Sequence, residues 1–247
     1  MKVIRFIFST LYKIWVFLVF TVFMILLLPG ILLPFLLGQR FGWVSYKFLA
    51  LWSWIFSMLN FIHYRYKGKE NIKKGRSYIY VSNHTSFLDI PGITMAIPGG
   101  FRPLAKKELL KIPIFGWIAK TAGVIVDRSS PQSRKASMEH LKDLINMGLS
   151  ILIFVEGTQN RTKEVLQPFK DGAFRMAIDT QQPILPMVVV GAGRLMPPGT
   201  IDLKPGTIHV IIGKEIATKG LTSSDAAPLK ERTFNIMKSM IQENTKQ

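Results

Sequence analysis

Two apolar stretches of different character open the chain, and a segmented alternation of apolar and polar runs follows them. From Ile14 to Leu37 there are 24 residues without a formal charge, broken by Pro29-Gly30 and Pro34 and preceded by Lys2, Arg5 and Lys13. A helix needs about 20 apolar residues to cross a bilayer core, so this run predicts a spanning or deeply inserted segment. A cleaved signal peptide has an apolar core of about 7 to 15 residues and a small-residue cleavage site, and neither is evident here. Phe41 to Ile62 is apolar again, with one charge at Lys47 and a concentration of aromatics that includes Trp43, Tyr46, Trp52 and Trp54. Trp and Tyr favour the headgroup boundary, so this stretch reads as an interfacial helix or as the second arm of a hairpin.

Composition changes at His63-Tyr64-Arg65-Tyr66-Lys67-Gly68. That change divides the chain into residues 1–62, a hydrophobic anchoring segment, and residues 63–247, a folded domain. Within the domain, short β-type runs at Tyr78 to Val81, Gly123 to Val126, Leu149 to Val155, Ile184 to Val190 and Thr207 to Ile212 are separated by helical segments. The clearest helix starts at Ser130-Pro131, a cap followed by proline at the first helical position, and ends before Gly148. A basic amphipathic stretch from Lys106 to Lys120 is broken by Pro113, and a last helix runs from Ser223 to about Asn244 with Pro228 near its first turn. Strands alternating with helices predict an α/β fold with a mixed, partly parallel sheet flanked by helices. In such sheets the site gathers at the carboxyl ends of the strands.

Charge narrows the partners. Lys and Arg number 32 against 15 Asp and Glu, a net charge of +17, which suits a polyanionic surface, either nucleic acid or anionic lipid. The apolar N-terminus and a mean hydropathy of +0.24 favour anionic membrane lipid and argue against nucleic acid. Cations at Lys2, Arg5 and Lys13, and again from Arg65 to Arg76, predict that both ends of the anchor face the cytoplasm, at the inner membrane if the source is bacterial. The chain has no cysteine, hence no thiolate nucleophile or thiolate metal site. Its four histidines lack paired zinc spacing, so no metal and no resident cofactor is expected. A Gly-x-Ser-x-Gly elbow is absent as well, which disfavours a serine hydrolase.

The stretch from Ser77 to Asp89 is where chemistry concentrates. A β-rich run breaks at Ser82-Asn83, and His84 and Asp89 follow with four residues between them. On a continuous helix this step turns the side chains about 140° apart, and on a strand it places them on opposite faces. A strand ending in a loop could unite them. The carboxylate would then fix the imidazole tautomer and free the other nitrogen to take a proton from a hydroxyl. The alternative is structural, with His84 capping a turn and Asp89 starting a helix.

Further motifs occur in a fixed order: Asn83 to Asp89, then Lys106-Lys107-Glu108-Leu109 with Pro113 and Gly116, Gly123 to Arg128, Phe154-Val155-Glu156-Gly157-Thr158, and Ile184-Leu185-Pro186. In this order the motifs resemble the glycerolipid acyltransferase family, in particular its 1-acylglycerol-3-phosphate branch, from about Gly68 to Gly213. The resemblance implies that His84, oriented by Asp89, is the general base that lets a hydroxyl attack an acyl thioester. It also implies substrate-binding roles for Lys106, Arg128, Glu156, Gly157 and Thr158, and a two-helix membrane tether at the N-terminus. A guanidinium such as Arg128 at a strand end can grip phosphate through paired hydrogen bonds. The sequence departs from the family pattern at Val155, where proline is usual, and at Gln159, where arginine is usual; Arg161 stands two residues on. The implied acceptor is therefore 1-acylglycerol 3-phosphate, a lysophospholipid, with glycerol 3-phosphate, another lysophospholipid or a lyso-aminolipid as alternatives. The implied donor is acyl-CoA or acyl-carrier protein. A non-catalytic protein that binds anionic lipid is the rival from outside the enzymes.

Overall fold

The structure, a computed structural model, describes residues 2–38 and 41–245, with side chains from Ile7 onward. The side chains of Lys2 and Arg5, two of the expected flanking cations, lie outside the described residues. In chain order the elements are α1 (Lys2–Leu36), α2 (Gly42–Leu59), β1 (Ile62–Lys67), β2 (Ile79–Ser82), α3 (Asp89–Ala96), β3 (Arg102–Lys106), α4 (Phe115–Ala122), β4 (Val124–Val126), α5 (Pro131–Asn146), β5 (Ile151–Phe154), α6 (Gly172–Asp179), β6 (Ile184–Val190), α7 (Ala192–Leu195), β7 (Gly206–Ile212) and α8 (Ala226–Thr245). Short 3-10 turns lie at Lys69–Asn71, Lys107–Lys111 and Ser223–Asp225.

Among the described residues the strands form one seven-stranded sheet in the order β1-β7-β6-β2-β5-β3-β4. Pairing is parallel throughout except between β6 and β7. The central strands are buried on both faces, and their side chains alternate between two apolar clusters, as the period of two requires. Tyr80, Leu185, Met187 and Val189 enter the cluster under α1, α2 and α3. Ile79, Val81, Ile184, Val188 and Val190 enter the one under α5, α6 and α8.

Capping explains where the outer helices begin. The Ser130 hydroxyl accepts from the Ser133 amide at 3.1 Å, with Pro131 at the first turn of α5. The approach to α8 opens with a capping box between Thr222 and Asp225.

The N-terminal segment differs from the expected tether in two respects. First, α1 runs unbroken through Pro29 and Pro34. Each proline removes one backbone bond, a loss that packing absorbs, for a Cβ on Gly30 would sit 2.5 Å from the Phe48 ring. Second, both helices bury part of their surface against the rest of the protein. Ile7–Leu36 is long and apolar enough to cross a membrane, at a mean hydropathy of 2.9, and is the one described helix that meets that measure. In α2, Ser45, Ser53, Ser57, Trp52 and Phe56 are buried against protein, while Trp43, Leu51, Trp54 and Met58 are exposed. Val19, Ile31, Trp52 and Phe56 belong to the same cluster as Tyr80 and Val210 of the sheet, so the hairpin packs into the body of the fold.

Polar contacts pin that hairpin at both ends. The Tyr12 hydroxyl donates to the Asn60 carbonyl at 2.8 Å, and the Trp15 indole donates to the Leu59 carbonyl at 2.9 Å. Both satisfy carbonyls left over at the end of α2. At the other end Arg102, 3 % exposed at the start of β3, lies over the rings of Phe35 (4.8 Å) and Tyr46 (5.9 Å).

Candidate active site

Parallel pairing of β2, β5, β3 and β4 brings their carboxyl ends to one edge. Ser82 stands opposite Phe154, and Lys106 opposite Val126. The chain leaving β2 is held down at once. The Asn83 side chain donates to the Val189 carbonyl at 3.0 Å and accepts from the Val189 amide at 2.8 Å, continuing the ladder onto β6. With Asn83 fixed, the next six residues fold back into a tight loop that ends where α3 begins.

That loop unites the two residues that neither a helix nor a strand could have joined. His84 Nδ1 lies 2.8 Å from Asp89 Oδ2. The same oxygen accepts from the amides of Thr85 at 2.7 Å and Ser86 at 2.9 Å. Asp89 is wholly buried, and 17 % of the His84 side chain is exposed. A carboxylate can only accept, so Nδ1 carries the proton and Nε2 is the basic nitrogen. Nε2 has no hydrogen-bond partner among the described residues. Of the structural alternative one half is seen, since Asp89, the carboxylate beside His84, is also the first residue of α3, whereas the His84 side chain bonds to Asp89 and caps no turn among the described residues.

Phe154, at the end of β5, stacks its ring on the imidazole with centroids 4.0 Å apart and planes 19° apart. Beneath the loop, Glu156 is 2 % exposed. One of its oxygens accepts from the His84 amide at 3.0 Å, the other from the Gln167 amide at 2.8 Å. Burial raises its carboxyl above the ordinary glutamate range, while the two amides pull the other way. Both oxygens are thus engaged on backbone, and Glu156 ties the His84 loop to the segment before α6. From β1, the Tyr64 hydroxyl donates to the Leu88 carbonyl at 2.7 Å, next to Asp89. Burial, and then the nearby Asp89 carboxylate, hold that phenol well above its usual range, so it remains a donor.

The remaining expected residues reach the same edge from different strands. Past β4, the Arg128 guanidinium donates to the Gly157 carbonyl, and Gly157 turns with φ 78°. Asp127 pairs with Lys107; that bond, with help from Ser129, lowers the Asp127 carboxyl to about 2. His84, Asp89, Glu156, Gly157 and Arg128 therefore form one connected cluster. Lys106 and Thr158 are exposed on the same edge, without a hydrogen bond to that cluster among the described residues. Gln159 adjoins Asn160, whose amide donates to the His84 carbonyl at 2.6 Å. Arg161 rests against Gly199, in the turn beyond Met196.

Asn83, Phe154, Gln167 and Tyr64 were not singled out by the sequence. Asn83 and Phe154 stood inside the motifs, where a strand-exit Asn and an aromatic at a strand end were available signals. Gln167 and Tyr64 act through tertiary contacts that no local pattern announces.

Comparison with known proteins adds an independent line. The family model described as Acyltransferase matches residues 63–190. The chain is 35% identical over 188 residues to the chloroplastic 1-acyl-sn-glycerol-3-phosphate acyltransferase BAT2 of Brassica napus, covering 74% of this chain and 54% of that protein. To the human 1-acyl-sn-glycerol-3-phosphate acyltransferase alpha it is 31% identical over 179 residues, covering 72% and 63%. It thus spans from about half to three-fifths of the length of these relatives. The crystal structure of the 1-acyl-sn-glycerophosphate acyltransferase PlsC from Thermotoga maritima superposes with a TM-score of 0.82 at 26% identity, over 100% of this chain and 99% of that one.

Proposed function

The chain belongs to the acyltransferase family, and from that premise we propose that it transfers a fatty acyl group from an acyl thioester to the free sn-2 hydroxyl of 1-acylglycerol 3-phosphate, giving phosphatidic acid. The observation that carries this reading is the contact between His84 Nδ1 and Asp89 Oδ2 at 2.8 Å, with Nε2 unengaged. The activities for which the relatives are named support the choice of acceptor.

In the proposed step, Nε2 takes the proton from the acceptor hydroxyl as its oxygen attacks the thioester carbonyl. Asp89 steadies the imidazolium that results. The tetrahedral adduct collapses, the C–S bond breaks, and the departing thiolate receives the proton held on Nε2. Atoms and charge balance without a metal or a resident cofactor, the thioester of CoA or of a carrier protein being consumed as co-substrate. The amides of His84, Thr85 and Ser86 already serve Glu156 and Asp89. We assign the oxyanion donors to the turn after Gly157, where the Thr158 and Gln159 amides have no partner among the described residues.

Arg128 and Lys106 are assigned to the acceptor phosphate, and the basic chain and α1 to an anionic membrane with the domain on its cytoplasmic side. His84→Ala protein should lose acyl transfer from labelled acyl-CoA across a panel of lysolipids while remaining membrane-bound. Full activity in that variant would refute the assignment. A panel profile that favours glycerol 3-phosphate or a lyso-aminolipid would replace the acceptor and leave the chemistry standing.

A further inference from the structure

We propose that residues 109–117 form a second membrane contact, separate from α1, that lays the His84 edge of the sheet against a bilayer containing anionic lipid. The segment is built to hold its apolar side chains outward. At Pro113-Ile114-Phe115 the Phe115 amide donates to the Pro113 carbonyl at 2.6 Å, and Ile114 has φ 64° and ψ −54°. This is a γ-turn of the rare, strained hand, centred on a β-branched residue that ordinarily avoids positive φ. Such strain persists only where the surroundings enforce it. Here the Gly116 amide donates to the Ile112 carbonyl at 2.7 Å. A Cβ on Gly116 would lie 2.5 Å from the Leu110 carbonyl, so the loop closes only on glycine.

The strained loop leaves Leu110, Ile112 and Trp117 43, 48 and 60 % exposed. Large apolar groups gathered so closely on a surface mark a contact, and two features identify the occupant as lipid. The patch adjoins the membrane helix: Phe115 packs on Phe87 at 5.9 Å, Phe87 on Phe20 of α1 at 6.1 Å, and α1 carries its own exposed apolar side chains, Phe8 and Phe17 among them. Its border is cationic, since Lys111 and Lys120 are exposed and have no carboxylate partner among the described residues. Trp with Lys is the composition that settles at an anionic headgroup boundary, at a depth of about 5–10 Å. A second copy of the chain is the poorer fit, because a net charge of +17 repels itself. Phe87 lies inside the His84 loop, so the contact brings that loop to the lipid from which the acceptor comes.

The absence of cysteine makes the test direct. Trp117→Cys, Phe8→Cys on α1 and Glu231→Cys on α8 are each labelled with a nitrobenzoxadiazole fluorophore and reconstituted in phosphatidylcholine–phosphatidylglycerol vesicles, with and without doxyl-labelled lipid. Doxyl lipid should cut emission at least about twofold at 8 and at 117 and leave 231 unchanged. Quenching at 8 with none at 117 overturns the proposal, as does emission at 117 that falls only when the protein-to-lipid ratio is raised, the sign of a second copy. A second arm rests on the acyltransferase reading. Ile112→Asp combined with Trp117→Asp should slow turnover of vesicle-embedded acceptor about tenfold, and should leave a short-chain monomeric acceptor within about twofold; equal loss on both counts against the contact. Should the wild type acylate neither acceptor, that reading fails while quenching still decides the surface.

Discussion

Asp89 offers a way to separate charge from geometry, because its three close hydrogen bonds converge on one oxygen. In Asp89→Asn the amide carbonyl can take the place of Oδ2 and keep His84 Nδ1, the Thr85 amide and the Ser86 amide as donors. The amide nitrogen then faces the Thr85 hydroxyl, now 3.4 Å from Oδ1, which can accept. Fold and tautomer are preserved, and only the negative charge is lost. An imidazolium and a carboxylate with charge centres about 4 Å apart attract by about 4 kcal/mol at an effective dielectric constant of about 20. Removing that attraction from the step in which the imidazolium forms should lower kcat about a thousandfold, with KM nearly unchanged.

Asp89→Ala, in contrast, strands the Thr85 and Ser86 amides in a buried loop. At about 1–3 kcal/mol for each unmade bond, this variant should also melt lower, by on the order of 10 °C. Initial rates with labelled acyl-CoA and a lysophosphatidic acid, together with melting followed by circular dichroism in the same detergent, distinguish the two. An Asn variant that melts like the wild type and retains more than about a tenth of its kcat would show that the carboxylate charge does not support proton transfer.

Three other outcomes follow from neighbouring contacts. Glu156→Ala should destabilise the protein by about 2–6 kcal/mol, because the His84 and Gln167 amides each lose an acceptor; a melting point equal to wild type would dissociate Glu156 from that role. Burial raises the Glu156 carboxyl above its free range, so in that window the folded state binds more protons than the unfolded state, and stability should fall as pH rises from the ordinary glutamate value through the raised one. Melting points recorded across this window should show that fall in the wild type and lose it in Glu156→Gln. Arg128→Ala removes a cation from the edge beside Gly157 and should raise KM for the phosphate-bearing acceptor about tenfold, more than for the acyl donor; equal shifts would assign Arg128 to the loop alone.

How much of this was legible in the chain depended on whether an element's signal was local. β6 is buried on both faces, and its run Ile184–Val190, uncharged and ending in three valines although it contains Pro186, reads directly as a strand. α5 carries its cap, its proline and its terminating glycine in sequence. β1 was missed because its outward positions, His63, Arg65 and Lys67, are charged or polar and made an alternating strand look like a linker. β3 was missed for another reason: Pro103 breaks the pattern where the strand changes partner, Arg102 and Pro103 pairing with β5 and Leu104 to Lys106 with β4. The packing of α1 onto the sheet was hidden too, since a helix apolar all round does not reveal which side meets lipid and which meets protein. At the site, the motifs supplied His84 and Asp89, but only the fold showed that Glu156 binds backbone through both oxygens.

Because the two N-terminal helices and the central strands share one interior, the imidazole cannot shift relative to α1 without dismantling that interior. With α1 seated in a bilayer as proposed, the height of the imidazole above the lipid would be set at folding. On the proposed acyltransferase reading the lipid acceptor would do the travelling, and molecules that rise readily from the leaflet would gain an advantage before any pocket had examined them. Selectivity would then begin as a mechanical filter, set by how far a lipid has to climb.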